Sequence, residues 1–146
     1  MEPSGVVGKR MKWGLVIGAA FLWIIALFLP AYSDGTPGIA CFLFGWSMLF
    51  DGHTFAFLAW FGNLPFCIAF FMFLLATRKK GIRNAAIFAG VGFLFAFGAF
   101  TITEIANGET GPISQVDAVS GAYVWMVSHL VLLSGTALNF YHSRKT

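Results

Sequence analysis

The chain has 146 residues, 58% of them apolar and 10% charged, with 18 Phe and a mean hydropathy of +0.80, so an ordinary water-soluble core is excluded and a membrane protein is expected. A net charge of +3 and a pI near 9.1 would suit nucleic acid, yet the cations fall in three groups: Lys9, Arg10 and Lys12; Arg78, Lys79, Lys80 and Arg83; and Arg144 and Lys145. This grouping is what the bias of Lys and Arg toward cytoplasmic segments produces, and it leaves no basic surface for nucleic acid.

The first apolar run, 13–30, is longer than a signal-peptide core and ends in Leu29-Pro30-Ala31-Tyr32, so a retained membrane helix is expected. Gly14 and Gly18 form a GxxxG pair that permits close approach of another helix. The connection after it opens on the turn signal Ser33-Asp34-Gly35-Thr36-Pro37-Gly38. An external apolar segment, 38–50, follows; it is too short to span and too apolar for water, which predicts a short helix lying in the interface or re-entering the bundle.

A second helix is expected over 55–77. Pro65 cannot donate to the carbonyl four residues earlier, so a kink is expected near Phe61, with Asn63 satisfying the freed group or capping the next turn. The cluster from Arg78 to Arg83 reads as a cytoplasmic loop. The third helix, 85–103, carries Ala86, Gly90, Gly92, Ala96 and Gly98 for neighbour packing and ends at Glu104. A turn-rich acidic connection at Asn107 to Pro112 leads to the fourth helix, 118–140, with Tyr123 and Trp125 near the outer boundary and Tyr141 and His142 at the inner surface.

The expected fold class is therefore all-α: an integral membrane four-helix bundle, a single domain over 1–146, with a short interfacial or re-entrant helix in its first external loop. Both termini and the loop at Arg78 are expected in the cytoplasm. The two turn-rich external connections resemble each other in residue types common to turns, which does not establish a duplicated hairpin.

Chemistry-bearing residues are few. Cys41 and Cys67 are the only cysteines and lack the paired external spacing of a thiol oxidase. His129 falls near mid-depth of the fourth helix, where a neutral ring bonded to a neighbouring helix is expected; with Glu104 it forms a candidate intramembrane polar site. Two-histidine haem ligation fails, since His53 and His142 lie at opposite surfaces. Asp51, His53, Glu104, Glu109 and Asp117 share the outer side without a metal-binding spacing, so neither metal nor cofactor is expected. Trp46, Trp60, Asn63, Pro65, Tyr123 and Trp125 all fall in the outer leaflet, as an aromatic belt or as a candidate groove for a lipid, a quinone or a partner's helix. No GxSxG, Walker loop or paired catalytic carboxylates appear.

The order Leu29-Pro30-Ala31, Pro37-Gly38, Gly45-Trp46, Trp60-Phe61-Gly62-Asn63-Leu64-Pro65 and Gly121-Ala122-Tyr123-Val124-Trp125-Met126-Val127-Ser128 resembles a family of small uncharacterised bacterial inner-membrane proteins. Leu64 departs from that pattern by separating Asn63 from Pro65. The resemblance implies a four-helix topology in a bacterial cytoplasmic membrane and no particular activity.

The leading functional expectation is a non-enzymatic multi-pass inner-membrane protein acting through helix packing, with the bilayer and another membrane protein or a second copy as partners. The alternatives are a small transporter or channel using the kink at Asn63 and Pro65, Glu104 and His129, and lipid or quinone binding in the outer leaflet.

Overall fold

The structure, a computed structural model, describes residues 4–50, 54–106 and 113–145. Asp51, His53, Glu109 and the expected turn at 107–112 lie outside the described residues, as do the side chains of Lys9, Arg10, Arg144 and Lys145. The described chain is helical apart from a small ribbon: α1 (Ser4–Phe28), α2 (Gly38–Phe44) running into a 3-10 helix (Gly45–Leu49), α3 (Thr54–Phe61), α4 (Asn63–Leu75), α5 (Lys79–Ala96) running into a 3-10 helix (Phe97–Thr101), β1 (Glu104–Ala106), β2 (Ile113–Gln115) and α6 (Ser120–Lys145).

Four stretches are long and apolar enough to cross a membrane, Met11–Phe28, Ala56–Leu75, Lys79–Thr101 and Ser120–Ser143. At 1.5 Å per residue each reaches about 27 Å or more, against a hydrocarbon core of about 30 Å. Large apolar side chains face outward along them, with Phe21 62%, Phe71 58% and Leu94 68% exposed, a surface suited to lipid and not to water. These features are compatible with a multi-pass membrane protein.

Helix ends differ from expectation for local reasons. α1 stops at Phe28 and not at residue 30, because Pro30 disfavours helical geometry at Leu29. α5 begins at Lys79, so most of the basic cluster is helical and the loop shrinks to 76–78; Arg78 is extended (φ −112°, ψ 149°) at the N-cap position. Lys and Arg are good helix formers, and because Arg78, Lys79, Lys80 and Arg83 are exposed, water screens their repulsion from the helix N-terminus. The stretch after Thr101 turns extended, and Glu104 pairs with Gln115 across an antiparallel ribbon; Glu104 is a strand residue and not a helix end. α6 starts at Ser120 and continues past 140 to Lys145.

The core joins α1, α4, α5 and α6 through Val16, Ala19, Phe66, Ala69, Phe73, Ala85, Ala89 and Leu132. On α5 the buried stripe is Ala85, Ala89, Gly92 and Ala96, a spacing of four, three and four that keeps small residues on one face. Of the small residues expected there, Gly92 and Ala96 are buried, whereas Ala86, Gly90 and Gly98 stand one position off the stripe and are half-buried.

At the basic end, Lys12 Nζ donates to the Leu74 and Ala76 carbonyls at 3.2 and 3.0 Å and lies 5.4 Å from the Phe73 ring centroid. A cation there meets the unpaired carbonyls and negative dipole end of α4. At the other, acidic end, backbone bonds stitch the two long connections together: Ser33 N–H to Asp117 O at 2.9 Å, Val119 N–H to Ala31 O at 2.9 Å and Gly121 N–H to Pro30 O at 2.7 Å. Gly121 is required by this approach, since a Cβ there would stand 2.6 Å from the Pro30 carbonyl oxygen. Under this cap lies a second small core of Ala31, Tyr32 and Val116.

Candidate binding cavity at the acidic end

The chain breaks its second apolar run at Gly62, between α3 and α4, as the missing N–H of Pro65 requires. Gly62 itself stays right-handed (φ −55°, ψ −25°), so the two helices form a kinked unit. Asn63 Nδ2 donates to the Trp60 carbonyl at 2.9 Å, one residue before the Phe61 carbonyl that Pro65 leaves without its donor. Asn63 Oδ1 accepts from two indoles at once, Trp23 Nε1 from α1 and Trp125 Nε1 from α6, each at 3.0 Å. One amide thus ties three helices together where an unpaired indole N–H would be costly.

Above this node the short α2 helix and the 3-10 turn after it fold back on α1 and α3. Trp60 Nε1 donates to the Phe42 carbonyl at 2.7 Å, and Gly45 lies so close that a Cβ would stand 2.7 Å from Trp60 Cδ1. Trp23 meets Phe42 edge-on at 5.3 Å. A cavity of about 930 Å³ opens between this segment, α1, α3 and the start of α6. Its floor is Trp60, Asn63 and Trp125; its walls include Ala26, Leu27, Cys41, Phe44, Met48, Ala56, Ala59 and Ala122; and Tyr32, Thr36, Ser47 and Glu104 add the remaining polar groups.

Those polar groups are largely committed. The Tyr32 hydroxyl donates to Ala99 O at 3.2 Å, and burial, with lesser contributions from the Cys41 thiol and Asp34, raises its pKa above the ordinary phenol value. Burial and then Asp34 push the Cys41 thiol up to about 11. Asp34 itself accepts from the Thr36 backbone N–H at 2.9 Å and hydroxyl at 2.6 Å. Glu104 is exposed, with no cationic side chain among the cavity-lining residues.

Of the six residues expected to form a groove, the structure brings together Trp60, Asn63 and Trp125. Trp46 is 47% exposed and meets Phe50 edge-on, Tyr123 is 56% exposed against Phe100, and Pro65 is buried in α4; none of the three lines the cavity. Trp23 was missing from that set. A Trp within an apolar span, away from both interfaces, is itself a signal, because its N–H needs a partner there.

His129 is buried on α6, about 14 Å along the axis from Ser120. Its Nδ1 bonds the Trp125 carbonyl of its own helix at 3.0 Å. The Ser128 hydroxyl donates to the same carbonyl at 2.6 Å. The ring packs on Phe66 at 4.5 Å and Trp125 at 4.6 Å. The Gly62 carbonyl also acts on the ring, but Nε2 makes no hydrogen bond of good geometry. No described contact joins His129 to Glu104, so the structure does not bring the expected intramembrane pair together. Cys41 and Cys67 are both free thiols.

The fold and cavity define a class: a bundle of four apolar helices, compatible with a multi-pass membrane protein, holding an apolar cavity at its acidic end. The chain matches no protein-family model, and no curated protein or solved structure is significantly similar to it.

Proposed function

We propose that this chain is a multi-pass membrane protein that binds an apolar or amphiphilic small molecule in the cavity at its acidic end, without catalysing a reaction on it. The observation that supports this reading is the cavity itself, whose 930 Å³ falls at the upper end of the roughly 300–1,000 Å³ range of small-molecule sites. A binding role suits a floor whose polar groups are hydrogen-bonded to one another and offer little acid–base chemistry. We place the Arg78 end and both termini in the cytoplasm, from the positive-inside bias, which leaves the cavity on the outer side. The choice of a bacterial cytoplasmic membrane rests on the order of sequence landmarks alone.

The test uses Trp60 and Trp125 as reporters. Protein reconstituted in phosphatidylcholine vesicles is titrated with an alkyl glucoside brominated along its chain. Entry into the cavity gives a saturable loss of Trp emission, and the filling variants Ala56→Phe and Ala122→Phe lose that component while retaining helical circular dichroism. A wild-type protein with no saturable component overturns the reading.

A second reading, assembly with another copy through helix packing, draws on one observation: nothing lies within 4 Å of a Cβ built at Gly14 or Gly18, so this face of α1 packs on no other part of the described chain. A protein that stays monomeric in mild detergent removes it. Transport through Asn63, Glu104 and His129 has less support, because Glu104 is exposed on a strand while His129 is sealed inside α6.

A further inference from the structure

Three features of the cavity restrict what could occupy it. The first is how its interior polar groups are spent. Asn63 Oδ1 already accepts two indole N–H groups, the Trp60 N–H is given to Phe42 O, and the Tyr32 hydroxyl to Ala99 O. A polar head placed at that depth would lose its water and find almost no partner, so the deep end suits a hydrocarbon chain.

The second is the sign of charge at the polar part of the lining. Glu104 is the ionisable carboxylate among the lining residues, and Asp34 lies close enough to act on Tyr32 and Cys41, which both line the cavity. Asp117, also exposed, is held beside Ser33 on the same cap.

The third is where the cations are. Among the described side chains, Lys12, Arg78, Lys79, Lys80 and Arg83 all sit at the opposite end, Lys12 already bound to two carbonyls. The 18 residues of α5 separate Lys79 from Ala96 by about 26 Å. Across that length none of these five cations reaches the carboxylates of the acidic end.

Resting on the binding reading above, we propose that the occupant is a cationic amphiphile, its hydrocarbon chain on the floor of Trp60, Asn63 and Trp125 and its protonated amine or quaternary ammonium head at Glu104. Anionic heads are disfavoured, because among the described residues neither the lining nor the cap around it supplies a cation. Glu104 sets head-group preference, and the floor sets only how deep the chain goes.

The test compares three amphiphiles with the same brominated chain and an ammonium, a glucoside or a sulfate head, titrated against the reconstituted protein, with Ala122→Phe supplying the background from bilayer partitioning. Apparent affinity is expected to fall in the order ammonium, glucoside, sulfate. Glu104→Gln, an exposed substitution, is expected to reduce the preference for ammonium over glucoside by about threefold, the scale of one solvent-exposed ion pair. Sulfate binding as tightly as ammonium, or a preference unchanged in Glu104→Gln, overturns this inference. If the glucoside still saturates in either case, the cavity remains a binding site and only the head-group assignment falls. Saturation with none of the three removes both.

Discussion

Trp125 Nε1 donates to Asn63 Oδ1 at 3.0 Å, and because Trp23 Nε1 donates to the same oxygen, the kink between α3 and α4 is fastened to both α1 and α6. Asn63→Leu therefore leaves two indole N–H groups unpaired as well as the Trp60 carbonyl. It is expected to cost about 2–3 kcal/mol, a few interhelical hydrogen bonds' worth within an apolar bundle. Trp125→Phe alone costs less, and the double variant Asn63→Leu/Trp125→Phe is less destabilised than the sum of the two. Unfolding by steric trapping checks this; strict additivity would mean the bond contributes nothing.

His129 behaves oppositely. Its Nε2 is buried without a hydrogen bond, and the Trp125 carbonyl keeps the Ser128 hydroxyl when the imidazole is removed. His129→Leu gives up only the Nδ1 bond to a carbonyl that keeps another donor and removes an unpartnered nitrogen, so it is expected to change stability by less than about 1 kcal/mol. The same unfolding assay decides it, and a loss as large as that of Asn63→Leu would show that the imidazole carries a bond essential to the bundle.

Cys41 provides a pH test. Its thiol is pushed up to about 11, because burial and then Asp34 both disfavour the thiolate. In a Cys67→Ala background, iodoacetamide should react at pH 8 about a hundredfold more slowly than with an unperturbed thiol, and the rate should climb tenfold per pH unit toward 11. Asp34→Asn moves the midpoint down. The native state holds this proton more tightly than the unfolded chain does, so the associated stability is present below pH 9 and is lost as pH rises through about 9 to 11. Saturation with a brominated glucoside slows the alkylation if the cavity is occupied, since Cys41 lines it.

Orientation can be read with impermeant thiol reagents. In a cysteine-free background, Asp34→Cys and Lys79→Cys both place a label at exposed positions at opposite ends of the bundle. Labelling of Asp34→Cys from outside, and of Lys79→Cys only after the membrane is opened, is expected. Access to both from one compartment would remove the proposed topology and the outward placing of the cavity with it.

Several features were legible in the residues alone because their causes are local. Four apolar stretches long enough to cross a bilayer follow from hydrocarbon thickness, and the break at Gly62 follows from the N–H that Pro65 lacks. Asn63 bonding back to the Trp60 carbonyl, next to the Phe61 carbonyl that Pro65 leaves without its donor, is likewise a matter of a few bonds along one backbone. The basic cluster was legible as a charge pattern but not as the first turn of α5, because clustering of charge carries no backbone geometry.

The contacts that make a site were decided by tertiary structure. That Trp23, 40 residues from Asn63, shares its oxygen with Trp125 depends on how three helices are rotated about their axes. A rotation of one residue, about 100°, would aim each indole elsewhere. The same dependence explains why Ala85 and Ala89, and not Ala86 and Gly90, form the buried stripe of α5. Glu104 reaches the cavity because the chain turns into a ribbon paired with 113–115, a long-range pairing absent from any local pattern. Composition and proline chemistry determined the number of apolar helices and the place of the bend; helix rotation and strand pairing decided which side chains meet around the empty volume between them.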